Sequence, residues 1–114
     1  MIIVGEIITL KRNNDFRRIY SKGRSFGSSV LVTYVLKNRR GEVRIGITTS
    51  KKIGKAVLRN RSRRIIREAY RMIADAVRQG VDLVFVARGK TPFVSSNDIL
   101  RAMKKELKEA GVLE

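Results

Sequence analysis

Residues 51–71 read KKIGKAVLRNRSRRIIREAYR, in which Lys51, Lys52, Lys55, Arg59, Arg61, Arg63, Arg64, Arg67 and Arg71 stand against the single acid Glu68. Nine bases and one acid leave +8, half of the +16 carried by all 114 residues, in under a fifth of the length. On a wheel at ~100° per residue, Arg63, Arg64, Arg67, Arg71 and Arg78 gather on one side with Asn60. Ile65, Ile66, Ala69, Tyr70, Ile73 and Val77 gather on the other. The spacing predicts a long helix over 56–79, stopped by Gly80, with one face for a core and one for an anion. Arg59 with Arg63, Arg63 with Arg67, and Arg67 with Arg71 are like-charged i,i+4 neighbours, each pair costing roughly 0.2–0.5 kcal/mol. Local helix stability does not explain such a stripe; a polyanion that neutralises it does.

The fold is read outward from this helix. Upstream, SFGSSVLVTYVL (25–36) is rich in β-branched and aromatic residues and predicts a strand over 28–36. Val30, Val32 and Tyr34 share one face of it, and Leu31, Thr33 and Val35 the other. KNRRGE (37–42) is turn-like and VRIGITTS (43–50) alternates again, so the two strands are expected to pair as an antiparallel hairpin. Downstream, VDLVFVARG (81–89) is apolar enough for both of its faces to be buried, which suits the interior of a sheet.

Helices close both ends. NNDFRRIYSKG (13–23) predicts a short helix capped near Asn13 or Asn14 and stopped by Gly23, with Phe16 and Tyr20 four residues apart on one face. TPFVSSND (91–98) supplies a loop and cap. DILRAMKKELKEAGV (98–112) then makes an amphipathic helix on Ile99, Leu100, Met103 and Leu107, ended by Gly111. The order α-β-β-α-β-α within one domain of 114 residues places the chain in the α/β class.

Composition narrows the chemistry. With 43% hydrophobic and 32% charged residues, the charge decorates a fold rather than a disordered tail. The chain has no Cys and no His, which removes thiolate metal sites, cysteine nucleophiles and the commonest general base. The ten acids are scattered singly, so no catalytic residue and no metal ligand set is expected on this chain. MIIVGEIITL (1–10) lacks a basic start and meets Glu6 early, a poor signal peptide, and no apolar run approaches the ~20 residues that span a bilayer. A cytoplasmic protein is expected.

The bland reading of a basic helix face is a solvated surface, but solvated faces usually mix signs to form i,i+4 pairs, and this one has almost no acids. A membrane-surface helix wants Trp, Phe or Leu on its apolar face, whereas this face carries Ile, Ala and one Tyr, sized for packing on a sheet. Nucleic acid fits better. The excess of Arg over Lys suits bidentate phosphate contacts and base stacking in folded RNA, and no helix-turn-helix or zinc-finger spacing for duplex DNA is present. Phe16, Tyr20 and Tyr34 form a second candidate site, since single-stranded nucleic acid stacks on aromatics that line a sheet face. Their alternative is ordinary core packing. Arg17, Arg18 and Lys22 lie close enough in sequence to meet phosphates.

The stretch SKKIGKAVLRNRSRRIIRE (50–68) resembles the signature of the bacterial ribonuclease P protein family: a Lys-Lys loop, a Gly, Ala-Val, Arg-Asn and then spaced Arg residues. The likeness extends through DFRRIYSKG (15–23) and DLVFVAR (82–88), covering about residues 9–110 and leaving 1–8 as an N-terminal extension. It implies a partner, the large catalytic RNA that removes the 5′ leader of precursor tRNA, and magnesium ions held by that RNA. No obligate protein partner is implied. Lys51, Lys52, Lys55, Arg59, Asn60, Arg61, Arg63, Arg64, Arg67 and Arg71 are then expected to contact the RNA subunit. A cleft between the first helix and the sheet, with Phe16, Arg17, Tyr20, Val32 and Tyr34, is expected to receive the single-stranded leader. The resemblance also implies an α/β sandwich with a small mixed sheet, in which the long helix joins parallel strands by a left-handed crossover, the minority hand for such a unit. A ribosomal or ribosome-assembly RNA-binding protein, and a nucleoid-type DNA-binding protein, would share the charge and the small α/β fold.

Overall fold

The computed structural model describes residues 7–114. Eight principal elements follow in chain order: β1 (Ile8–Thr9), α1 (Asn13–Lys22), β2 (Arg24–Gly27), β3 (Leu31–Lys37), β4 (Arg44–Thr48), α2 (Ala56–Arg71), β5 (Val81–Ala87) and α3 (Ser96–Glu109). The strands form one mixed sheet in the order β1-β4-β5-β3-β2. β1 runs parallel to β4 and β4 parallel to β5, while β3 is antiparallel to both β5 and β2.

The strand that is apolar on both faces takes the centre. Leu83 and Phe85 of β5 join Leu31, Val35 and Ile45 in the larger core, against Ile65, Ile66, Ala69 and Tyr70 of α2 and Ile99, Met103 and Leu107 of α3. On the opposite face Val84 is fully buried under Leu10 and Ile19, with Phe16, Tyr34, Leu36 and Val86 around them. The chain is thus a sandwich, with α1 on one side of the sheet and α2 with α3 on the other. Within β3, Leu31, Thr33 and Val35 face α2 and α3, whereas Val32 and Tyr34 face α1, the alternation expected from the sequence.

Four expectations are corrected. β3 and β4 do not pair as a hairpin, because β5 lies between them: Asn38 N–H donates to Gly80 O (2.8 Å) and Gly80 N–H to Glu42 O (3.3 Å), so the start of β5 wedges into the mouth of the turn. The strand expected over 28–36 begins only at Leu31, as β3, and is preceded by β2, a strand unmarked in the sequence; the two join through a turn at Ser28, whose hydroxyl accepts from Leu31 N–H (3.3 Å) and whose N–H donates to Leu31 O (2.9 Å). The long helix ends at Arg71 rather than Gln79. Beyond it a 3-10 turn over Ala74–Ala76 lets Val77 bridge to Leu113, with Arg78 N–H on Val112 O at 2.8 Å, a tertiary pairing that overrides the helical spacing of Ile73 and Val77. Finally, Val30, expected to share a face with Val32 and Tyr34, precedes β3 and packs against the larger core instead. Ile8 lies in the short edge strand β1, and residues 1–6 lie outside the described residues.

Helix α1 starts after Arg12 with no side-chain cap, so neither Asn13 nor Asn14 acts as the expected N-cap. It stops at Gly23 as expected, and the reason is close packing. A Cβ there would lie 2.5 Å from Ile19 O and 3.0 Å from Val35 O. Helix α3 begins with a reciprocal capping box, Ser95 Oγ accepting from Asp98 N–H and the Asp98 carboxylate accepting from Ser95 N–H, both at 3.1 Å. Those bonds hold the exposed Asp98 carboxyl below its usual range.

Candidate nucleic-acid interface

The basic segment begins at a 3-10 turn, Lys51–Ile53, fixed by Ser50 Oγ accepting from Lys52 N–H (3.3 Å) and anchored by buried Ile53. Lys51 and Lys52 therefore project outward, and Lys55 follows, exposed, at the N-cap of α2. The first turn of α2 has neither a side-chain cap nor an acid, so helix dipole and lysines add at one positive end. Along α2, Asn60, Arg61, Arg63, Arg64, Arg67 and Arg71 are exposed and Arg59 is half-buried, while Ser62, Ile65, Ile66, Ala69 and Tyr70 face the core. Arg78 is not on this face, since the helix has ended.

Among the described residues this surface forms one ion pair, Arg64 with Glu68 at 3.9 Å between two exposed side chains, and a long contact from Arg63 Nη1 to Asn60 Oδ1 at 3.4 Å. Pairing so weak contributes little. The cationic face is left almost without neutralising carboxylates among the described residues.

Arg63, Arg67 and Arg71 also line a pocket of about 400 Å³ at the β1–β4 edge of the sheet. Its other wall is apolar, formed by Leu10, Phe16, Ile45 and Ile47, with Ile7 and Thr9 at its rim. Phe16 reaches this place because Gly46 leaves room for it: a Cβ on Gly46 would fall 2.5 Å from Phe16 Cε1. Gly46, unmarked by the reading of functional residues, had a signal in the sequence, since a glycine inside an alternating strand points to close approach.

One turn further along α1, Tyr20 and Tyr34 meet edge to face, their ring centres 4.9 Å apart, and Tyr20 Oη lies 3.0 Å from Thr48 Oγ1. Tyr20 is 39% exposed while Tyr34 packs against the smaller core, so the pair rims a half-exposed cleft at the edge of that core. The cleft floor is the row Thr48, Val86 and Val32, neighbours across β4, β5 and β3, all half-exposed. Thr48 and Val86 were missed by sequence reasoning, because a floor of this kind exists only once the register of three strands is known. Phe16, Tyr20, Val32 and Tyr34 are thus brought together on one side of the sheet. Arg17 is exposed on α1 and makes no side-chain hydrogen bond or ion pair among the described residues.

A charge cluster ties α1 to the sheet beside the cleft. Asp82 of β5 is fully buried and accepts from Arg44 Nε (2.9 Å) and Nη2 (2.8 Å), from Asn38 Nδ2 (2.8 Å) and from Arg18 Nη2 (3.1 Å). Burial alone would raise the Asp82 pKa, but the donated hydrogen bonds and the two guanidinium charges hold it below the ordinary value. Arg44, bonded to Asp82, is shifted upward in turn. Arg18, expected from its position to meet phosphate, spends its charge here. No group of three or more acidic side chains able to hold a metal ion occurs among the described residues.

An α/β sandwich with an unneutralised arginine helix beside an aromatic-rimmed sheet cleft defines a nucleic-acid-binding protein. The family model for Ribonuclease P matches residues 6–111. The ribonuclease P protein component of Clostridioides difficile strain 630 is 43% identical over 104 residues, 90% of this chain and 91% of that protein. That of Clostridium kluyveri is 40% identical over 109 residues, covering 94% and 97%. Among solved structures, the Staphylococcus aureus RNase P protein superposes with a TM-score of 0.83 at 34% identity, over 96% of this chain and all of that one. The protein from Thermotoga maritima gives 0.79 at 28% identity, over 89% and 96%. The chain belongs to the ribonuclease P protein family, the protein component of the bacterial endoribonuclease that processes tRNA 5′ ends. The ribosome-assembly and nucleoid readings are thereby not favoured.

Proposed function

We propose that the α2 face and its basic turn dock on the ribonuclease P RNA, and that the cleft rimmed by Tyr20 and Tyr34 holds the single-stranded 5′ leader of precursor tRNA. The observation that carries this is the adjacency of two surfaces with different chemistry. Arginines without carboxylate partners suit the phosphates of a folded RNA, and an aromatic-rimmed, half-exposed sheet face suits unpaired bases. The edge pocket and Phe16 join them, so one chain can touch catalytic RNA and substrate together.

On this reading the protein contributes position and charge. Lysine and arginine offset the repulsion between two polyanions, and the cleft fixes the leader so that the scissile phosphate is presented in one register. Magnesium supplies the Lewis-acid chemistry when bound by the RNA, and no step is assigned to a metal on this chain. Arg17, exposed on α1 next to Phe16 in the chain, is assigned to leader phosphates. Among the described residues no helix is long and apolar enough to cross a membrane, and we place the protein in the cytoplasm with its RNA partners.

The test is substrate discrimination. Phe16→Ala with Tyr20→Ala should reduce the preference of the assembled enzyme for precursor over mature tRNA by roughly tenfold, the loss of about one stacked base. Equal discrimination in variant and wild type would refute the leader assignment.

A further inference from the structure

The edge pocket offers more than charge. Given RNA docking on the α2 face, on which this inference rests, we propose that the pocket receives one unpaired nucleotide of an RNA, base inward and phosphates outward. Three features meet there. First, β4 runs on to Thr48 while β1 ends at Thr9, and the last bond across that edge is Leu10 N–H to Ile45 O at 2.7 Å. Backbone groups alternate along a strand, so the N–H and C=O of Ile47 point to the same outer edge as those of Ile45, with no strand against them among the described residues. They present one donor and one acceptor to a base edge.

Second, the wall beside them is apolar, with Leu10, Ile47 and the Phe16 ring offering surface to a base face. Third, Arg63, Arg67 and Arg71 stand over the opening at successive turns of α2, about 6 Å apart along its axis. None has a carboxylate within ion-pair distance among the described residues. A free phosphate would leave the apolar wall unused, and an apolar side chain from a protein would leave three arginines unanswered. A paired base cannot enter, because its edge is already bonded and its faces are stacked. An extruded nucleotide satisfies all three features, and the volume of about 400 Å³ lies in the range of small-ligand pockets.

The experiment is methyl-labelled isoleucine NMR on the full-length chain, titrated with adenosine 5′-monophosphate, inorganic phosphate and single-stranded hexa-adenylate. Ile45 and Ile47 resonances are expected to move with the two nucleotides and not with phosphate at equal concentration. Ile47→Trp, which fills the pocket from a half-exposed position, should weaken hexa-adenylate binding roughly tenfold, and Thr9→Trp should do the same from the other side. Equal shifts with phosphate, or wild-type affinity in the folded variants, would overturn the proposal. Cleavage assays separate the two readings. Stimulation of leader removal without an Ile47 response sinks the pocket alone, whereas an Ile47 response without stimulation keeps the pocket and removes the proposed docking on the ribonuclease P RNA.

Discussion

Gly46 has no side chain, yet it decides where Phe16 lies. Replacing it with Ala puts a methyl 2.5 Å from the Phe16 ring, so the ring must swing out or α1 must lift. Gly46→Ala is expected to cost about 1–3 kcal/mol in urea unfolding and to loosen the cleft; wild-type stability would show that Phe16 is not seated as described. A second residue sets a pH dependence. Glu106 of α3 is 2% exposed, beside Thr33 and Ser28 with no well-formed hydrogen bond, and burial pushes its pKa from 4.5 up to about 7. The folded state then binds more protons than the unfolded one, so stability is highest below about pH 4.5 for this group and falls as pH rises to about 7. Glu106→Gln should flatten that slope and add about 1–2 kcal/mol above pH 7, read from unfolding curves at several pH values. Asp82, with a lowered pKa, acts in the opposite sense and in a separate window, its contribution being lost only as pH falls below the ordinary carboxylate range. Both features were legible in part. Gly46 interrupts an alternating strand, and Glu106 stands three residues after buried Met103 on the apolar side of its helix. The partner groups that give them their roles lie on other elements and were not.

At the scale of elements, α2 joins a core face to a cationic face, and the second can be weakened without harming the first. Arg64→Ala with Arg67→Ala is expected to leave circular dichroism unchanged, since both side chains are exposed and share only the 3.9 Å pair with Glu68. The double variant should bind the RNA subunit more weakly and lower the slope of log affinity against log salt by about 2. An unchanged slope would mean that these arginines do not meet phosphate. The two faces of α2 were readable because 3.6-residue periodicity is a local property. Its end was not: Ile73 and Val77 keep the helical spacing, and only the bridge to Leu113, distant in sequence, turns the chain. The supposed hairpin failed for the same kind of reason, because the two strands and their turn are real but β5 arrives from beyond α2 and separates them.

For the whole molecule, the distribution of charge matters more than its sum. Half of the +16 of the sequence is concentrated on one turn and one helix, beside a cleft of different chemistry, and the one buried carboxylate near that cleft is saturated by Arg44, Asn38 and Arg18. With its chemistry delegated to an RNA, such a protein should be inert alone and effective in complex. The direct test is 5′-leader cleavage of precursor tRNA at low magnesium, with a bacterial ribonuclease P RNA alone, with this protein alone and with both. Efficient cleavage by the mixture, against little with the RNA alone and none with the protein alone, is the predicted result. Cleavage by the protein alone, or no stimulation of the RNA, would contradict the account.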